Sequence, residues 1–219
     1  MTGGDTTARR PLRSRQTRWA SALAGWLTRR SVRPNQISLA SVVFAALAGS
    51  CLGLSATTDP PLPSVLLVAT AAFIQLRLLC NLLDGMVAVE GGLKTKSGEI
   101  FNDLPDRLSD TLILVSAGHS ATWVSWGSTL GWAAAVAAIL TAYVRVLGAS
   151  AGAGHYFCGP MAKQHRMAVM TAACVAAALE AAADPGGRVM TVALLVIIVG
   201  CLVTIARRTR RIVADLESR

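Results

Sequence analysis

Six apolar stretches, each close to the length of a bilayer-spanning helix, constrain this chain more than any other feature. They run roughly over residues 37–56, 64–83, 108–124, 130–147, 167–183 and 189–206. A helix rises 1.5 Å per residue, so about 20 apolar residues cross a hydrocarbon layer of about 30 Å. Short polar or Gly/Pro punctuation separates them, as in Thr57-Thr58-Asp59-Pro60-Pro61 and Asp184-Pro185-Gly186-Gly187. A soluble helical domain would give each helix a polar face with a 3.6-residue period, and these segments have almost none. Charged residues are 15% of the 219, against about 25% in soluble domains. The expected class is an all-α integral membrane protein with six transmembrane helices and an N-terminal interfacial amphipathic helix.

The net charge of +9 could suggest nucleic acid, but aromatics at 5% are too sparse for base-stacking surfaces, so no nucleic-acid partner is expected. The basic residues fit a topology instead. With a cytoplasmic N-terminus, the inner segments hold 18 of the 21 Lys and Arg, leaving only Arg77, Arg145 and Arg188. The positive-inside bias therefore places both termini in the cytoplasm, as in a multi-pass protein of a bacterial inner membrane. The five cysteines are widely spaced in mostly apolar runs and read as small hydrophobes.

Four segments follow. Residues 1–17 form a basic arm without apolar content, expected to be disordered. Residues 18–33 hold Trp19, Ala22, Leu23, Trp26 and Leu27 on one helical stripe flanked by Arg18, Arg29 and Arg30, a pattern suited to an anionic lipid surface or to the protein's own inner face. Residues 34–206 form the six-helix membrane domain. Residues 207–219 form a basic cytoplasmic tail, whose Arg207-Arg208-Thr209-Arg210-Arg211 reads as a stop and a lipid anchor. The Ala-rich fourth and fifth spans suggest close helix packing, with a homodimer face as one use.

Half of the twelve acidic residues lie between Asp84 and Asp110, in a stretch read as an inner loop joining the second and third spans. Charges at a membrane helix end are costly unless paired or ion-bound. Asn81 and Asp84 are three apart, and Asn102 and Asp106 four apart, so each pair shares a helix face, with Asp103 and Asp110 close by. Two such faces brought together would offer the oxygen ligands that hard divalent cations such as Mg²⁺, Mn²⁺ or Ca²⁺ prefer. Gly85 and Gly98 remove side chains where a flat or phosphate-bearing ligand could approach. On the same face lie Arg145, Lys163 and Arg166, the last two three apart and able to grip a phosphate together if a helix starts there. Arg77, about a turn before Asn81, either lines the cavity or pairs with one of the acids.

This stretch resembles the signature of the CDP-alcohol phosphotransferase (phosphatidyltransferase) family, D-x-x-D-G-x-x-A-R, eight residues, then G-x-x-x-D-x-x-x-D. Asp84, Gly85, Ala88, Gly98 and Asp106 fall in register around an intact spacer of residues 90–97. Pro34-Asn35-Gln36-Ile37-Ser38 looks like the family's approach to its first membrane helix. The resemblance implies transfer of a substituted phosphate from a CDP-linked lipid donor, usually CDP-diacylglycerol, to a small alcohol acceptor, with CMP leaving. It implies Mg²⁺ or Mn²⁺ at the four motif positions, Asp106 as base, nucleotide binding at Asp84, Gly85, Ala88 and Gly98, and acceptor binding near Arg145, Lys163 and Arg166. Three positions depart from the pattern: Asn81 and Asn102 replace aspartates and Val89 replaces the arginine. Affinity for a divalent ion depends on ligand charge, so the centre could hold one ion between Asp84 and Asp106 or two with Glu99, Asp103 or Asp110 moving in. A catalytically silent relative, binding nucleotide-lipid or serving as an assembly subunit, is the alternative reading.

Overall fold

A computed structural model describes residues 17–92, 98–154, 156–184 and 186–218, apart from the side chains of Glu90, Glu99 and Asn102. The described residues form seven helices and no strands: α1 (Arg18–Arg29), α2 (Pro34–Ser55), α3 (Leu62–Glu90), α4 (Gly98–Ser120), α5 (Gly127–Ser150), α6 (Lys163–Ala183) and α7 (Arg188–Glu217). Five of them, α2, α3, α5, α6 and α7, are long and apolar enough to cross a membrane. The remaining long helix, α4, has the length but carries Glu99, Asp103, Asp106, Arg107 and Asp110 between its start and its middle turn. That charge, not any shortage of residues, separates it from the other five.

The helix limits differ from the sequence expectation where the polar residues lie. The inner loop read over residues 84–107 is mostly helix: α3 continues to Glu90 and α4 begins at Gly98. Asp84, Gly85 and Ala88 therefore stand on α3, and Asn102, Asp103 and Asp106 on α4. Polar side chains do not stop a helix when its backbone hydrogen bonds stay intact, and hydropathy alone under-reads such ends. Similarly, α7 runs unbroken through the basic run to Glu217, so the segment read as a tail is helical. The amphipathic helix closes earlier than expected, at Arg29, where Arg30 turns and Ser31 takes φ 57°.

Helix contacts close into a ring. Going round it, α2 packs on α3, α3 on α6, α6 on α7, α7 on α5, α5 on α4, and α4 back on α2. Helices α3 and α4 thus flank α2 and face each other with little direct backbone approach. Small residues set the tight contacts. A Cβ on Gly131 would stand 2.8 Å from the Leu114 carbonyl oxygen and 2.9 Å from the Gly118 Cα, so α4 and α5 touch backbone to backbone. Ala134, Ala135, Ala137 and Ala138 of α5 and Ala173, Ala177 and Ala178 of α6 are buried within the chain's own bundle. Large apolar side chains such as Leu39, Val43, Val68, Trp132, Val136 and Leu202 point outward. An apolar exterior over a partly charged interior is what a hydrocarbon solvent demands.

Helix α1 lies across α3. Its Ala20 and Ala24 are fully buried against a cluster with Leu82, Leu83, Met86 and Val87. Trp19 and Trp26 stay exposed on another edge. The helix therefore packs on the protein through its alanines and leaves its tryptophans exposed, with the Arg30 guanidinium over the Trp26 ring.

Candidate functional site

The site is built where α3, α4 and α6 converge at one end of the ring. In α4, Asp103, Asp106 and Asp110 are spaced by three and four residues and share a face. Pro105 within the same turn lacks the N–H that would reach the Phe101 carbonyl, loosening the backbone beside the acids. In α6, Lys163 and Arg166 occupy the first turn, as the three-residue spacing anticipated. Two cations at a helix N-terminus oppose the macrodipole and need compensating acids. The α4 carboxylates supply them.

Asp110 is held from two sides. Its Oδ1 accepts from Arg77 Nη2 of α3 at 2.8 Å, and its Oδ2 accepts from Arg166 Nη2 of α6 at 2.6 Å. All three side chains are buried. Arg166 also donates through Nη1 to the Met161 carbonyl at 2.9 Å and to Thr141 Oγ1 at 3.2 Å, tying the clamp to α5. Arg77 is thus a partner of the site acids, one of its two anticipated roles.

One turn toward the start of α4, Asp106 takes a different set of partners. Its Oδ2 accepts from Lys163 Nζ. Its Oδ1 lies 3.5 Å from Arg77 Nη2, and Arg107 approaches to 4.0 Å. Across the gap on α3, the buried Asp84 accepts from Ser38 Oγ at 2.8 Å and makes no ion pair among the described residues. It sits within electrostatic reach of both Lys163 and Asp106. Asp84 and Asp106 therefore belong to one cluster, turned inward. At its rim, Arg145 Nη2 of α5 donates to Asp103 Oδ1 at 2.9 Å, with the guanidinium over the Phe157 ring.

The three cations singled out from the sequence, Arg145, Lys163 and Arg166, are each engaged by an acid of α4. Arg166 is closed off by burial, whereas Arg145 and Lys163 keep about a fifth of their side-chain surface exposed, 19% and 23%. The side chains of Glu99 and Asn102 lie outside the described residues, as do residues 93–97 of the spacer. Val89, in the motif's arginine position, is exposed.

Several groups left aside by the sequence reading matter here. Ser38 fixes Asp84 from the second turn of α2, and the hydroxyl four residues after Pro34 was its only signal. Arg208, in the run read as a lipid anchor, is instead buried, with Nε on the Cys158 carbonyl at 2.9 Å and Nη1 on the Thr141 carbonyl. A stripe Ile197, Cys201, Thr204, Arg208, Ile212 marks this buried face at helical spacing, and Arg207, Arg210 and Arg211 stay outside.

Five buried polar atoms remain without a partner among the described residues: Nε and Nη1 of Arg77, Nε of Arg166, Nδ2 of Asn81 and Oγ of Ser109. Arg77 has no exposed surface. Buried N–H groups without a partner are rare in native proteins and point to a missing acceptor, either water or an anionic ligand.

No family model matches the chain. A segment of 85 residues is 39% identical to the inner membrane protein YnbA of Escherichia coli (strain K12), and the match spans 39% of each protein's length. Among solved structures, the Mycobacterium tuberculosis phosphatidylinositol phosphate synthase PgsA1 with CDP-DAG bound superposes with a TM-score of 0.72, over 90% of this chain and 94% of that one, at 16% identity. The same enzyme in complex with manganese and citrate gives 0.71 over 88% of each, again at 16% identity. This chain shares their fold. With five helices apolar enough to cross a bilayer and a relative named as an inner membrane protein, it is a membrane protein.

The donors of this chain do not suit a pair of divalent ions. Two of the four motif positions carry Asn, and Asp106 already holds an ammonium. The described residues contain no group of three His, Cys, Asp or Glu able to hold a metal ion. Across the cluster, the carboxylates of Asp103, Asp106 and Asp110 pair with the cations of Arg77, Arg107, Arg145, Lys163 and Arg166, and Asp84 accepts from Ser38. Among the described residues, five cations face four carboxylates, which leaves no excess of negative charge to bind two further dications.

Proposed function

We propose that this chain is a membrane phosphotransferase of phospholipid synthesis. It moves a substituted phosphate, a phosphatidyl group in the simplest case, from a CDP-linked donor such as CDP-diacylglycerol to an alcohol, with release of CMP. The carrying observation is that Asp84 and Asp106, separate in sequence, share one buried cluster with Lys163 and the incompletely satisfied Arg77. A fold shared with a protein crystallised with CDP-DAG supports the choice of donor.

On this reading the diphosphate of the donor enters beside Arg77 and Lys163, whose charges neutralise it and stabilise CMP as it leaves. Asp84, Gly85, Ala88 and Gly98 line the nucleotide. The acceptor hydroxyl attacks the lipid-bearing phosphorus, its proton passes to the Asp106 carboxylate, and the bond from that phosphorus to the bridging oxygen breaks, leaving the oxygen on CMP. Lys163 shifts from Asp106 to the phosphate as the donor binds, freeing the carboxylate to act. Arg145, at the rim, is positioned to meet an anionic acceptor. Arg166 supports Asp110 and does not reach the acceptor. Helix α4 completes six spans, its acids turned into the ring. Both termini and the site face the cytoplasm, and the exposed tryptophans of α1 rest in the anionic headgroup layer.

Purified protein given labelled CDP-diacylglycerol and a panel of alcohols, from glycerol phosphate and inositol phosphate to serine, should release CMP with at least one of them. No release with any acceptor would favour the second reading, a silent nucleotide-lipid-binding subunit. That reading draws on the two asparagines and on the hold of Lys163 on Asp106.

A further inference from the structure

We infer that the Lys163 ammonium is a built-in cation occupying the place a divalent ion would take between Asp84 and Asp106, so that Lys163 and Arg77 hold the diphosphate in place of a two-ion centre. Three observations converge on this assignment. The ammonium is bonded to the Asp106 carboxylate of α4, and the buried Asp84 of α3, which makes no ion pair among the described residues, lies within its electrostatic reach. The two negative charges absent at Asn81 and Asn102 match the loss of one dication, and the single charges of Lys163 and Arg77 together match the second. Finally, Arg77 is fully buried yet keeps Nε and Nη1 without an acceptor, and the Nδ2 atom of the half-buried Asn81 also lacks one. The guanidinium N–H groups suit phosphate oxygens and have nothing to offer a metal ion, which takes lone pairs and repels donors.

Lys163 is also placed to act this way. It stands in the first turn of α6, where the helix N-terminus adds its own partial positive charge. Its side chain keeps 23% of its surface, whereas Arg77 and Arg166 keep almost none; Arg107 keeps 19% but stands 4.0 Å from Asp106, so Lys163 is the directly bonded cation with room to swing between the carboxylate and an arriving phosphate.

The test has a metal arm and a nucleotide arm, both on the full-length protein in detergent. In the metal arm, Mn²⁺ is titrated and followed by its electron paramagnetic resonance signal. The wild type should show no two-ion binding, and Lys163→Met should bind Mn²⁺ more tightly by about 10–100-fold, the scale on which a residue contacting the ligands alters metal affinity. Lys163→Gln should behave likewise, which covers a misfolded methionine variant. Two tightly bound Mn²⁺ on the wild type would overturn the inference without any variant. So would a Mn²⁺ affinity indifferent to removal of the ammonium.

In the nucleotide arm, CDP is the probe. The wild type should bind it equally with Mn²⁺ or with excess EDTA. Lys163→Met should lose CDP in EDTA and regain it when Mn²⁺ is added. Loss of wild-type CDP binding in EDTA would contradict the inference. This arm rests on the proposed donor, whereas the metal arm does not. If no form of the protein binds CDP while Mn²⁺ responds as expected, the donor reading fails and the substitution of ammonium for metal stands.

Discussion

Asp106 and Asp110 are one helical turn apart on α4, and they do different work. Asp110 has each carboxylate oxygen paired to a guanidinium, one from α3 and one from α6, with no side chain reaching solvent. It joins three helices of the ring and has no capacity left for a ligand. Asp106 is held by a lysine that keeps some exposure, with Arg77 at 3.5 Å and Arg107 at 4.0 Å. Its partners are more distant or more exposed. Where charges cluster inside a membrane protein, completeness of pairing separates the structural acid from the chemical one.

Truncating the structural acid should have the largest effect on stability. Asp110→Ala leaves two buried guanidiniums uncompensated, and breaking a buried pair costs about 3–5 kcal/mol. The variant should lose monodisperse protein in detergent and melt far below the wild type. A melting temperature equal to the wild type's would erase the contrast between the two acids.

Smaller effects sharpen the same contrast. Ser38→Ala removes the side-chain hydrogen bond to the Asp84 carboxylate, a type of bond worth about 1.5–3 kcal/mol. Thermal unfolding should fall by a corresponding few degrees, and CMP release should fall further, because Asp84 loses its orientation. Stability loss with undiminished turnover would remove Asp84 from the chemistry. Smallest of all, Arg145→Ala breaks a partly exposed pair, and stability should change by less than about 1 kcal/mol. The Michaelis constant for the acceptor should rise while stability holds. No change in either would make Arg145 a rim charge only.

The membrane class was legible because it rests on local information. Runs of apolar residues and punctuation report the helices directly, and the spacing of Asn81, Asp84, Asn102 and Asp106 marked the right helix ends. The pairings were not legible, because they depend on the order of helices in the ring. Arg77 meets Asp110 over 33 residues and Lys163 meets Asp106 over 57, and nothing in either segment names its partner. Composition also misled at Arg208: within a run of arginines it looked like a surface charge, whereas its place on the stripe with Thr204 and Ile212 turns it inward. The polar ends of α3 and α4 were underestimated for a related reason. Hydropathy detects where lipid is, and these turns face the interior of the ring.

The measurement closest to the core of the account is CMP release from CDP-diacylglycerol by Asp106→Ala beside the wild type, with membrane insertion and melting temperature recorded for both. General-base catalysis contributes about 10²–10⁴-fold, so turnover should fall by at least that much while the protein still inserts and folds. Turnover equal to the wild type's in an inserted, folded Asp106→Ala protein would contradict the assignment of the chemistry to this cluster.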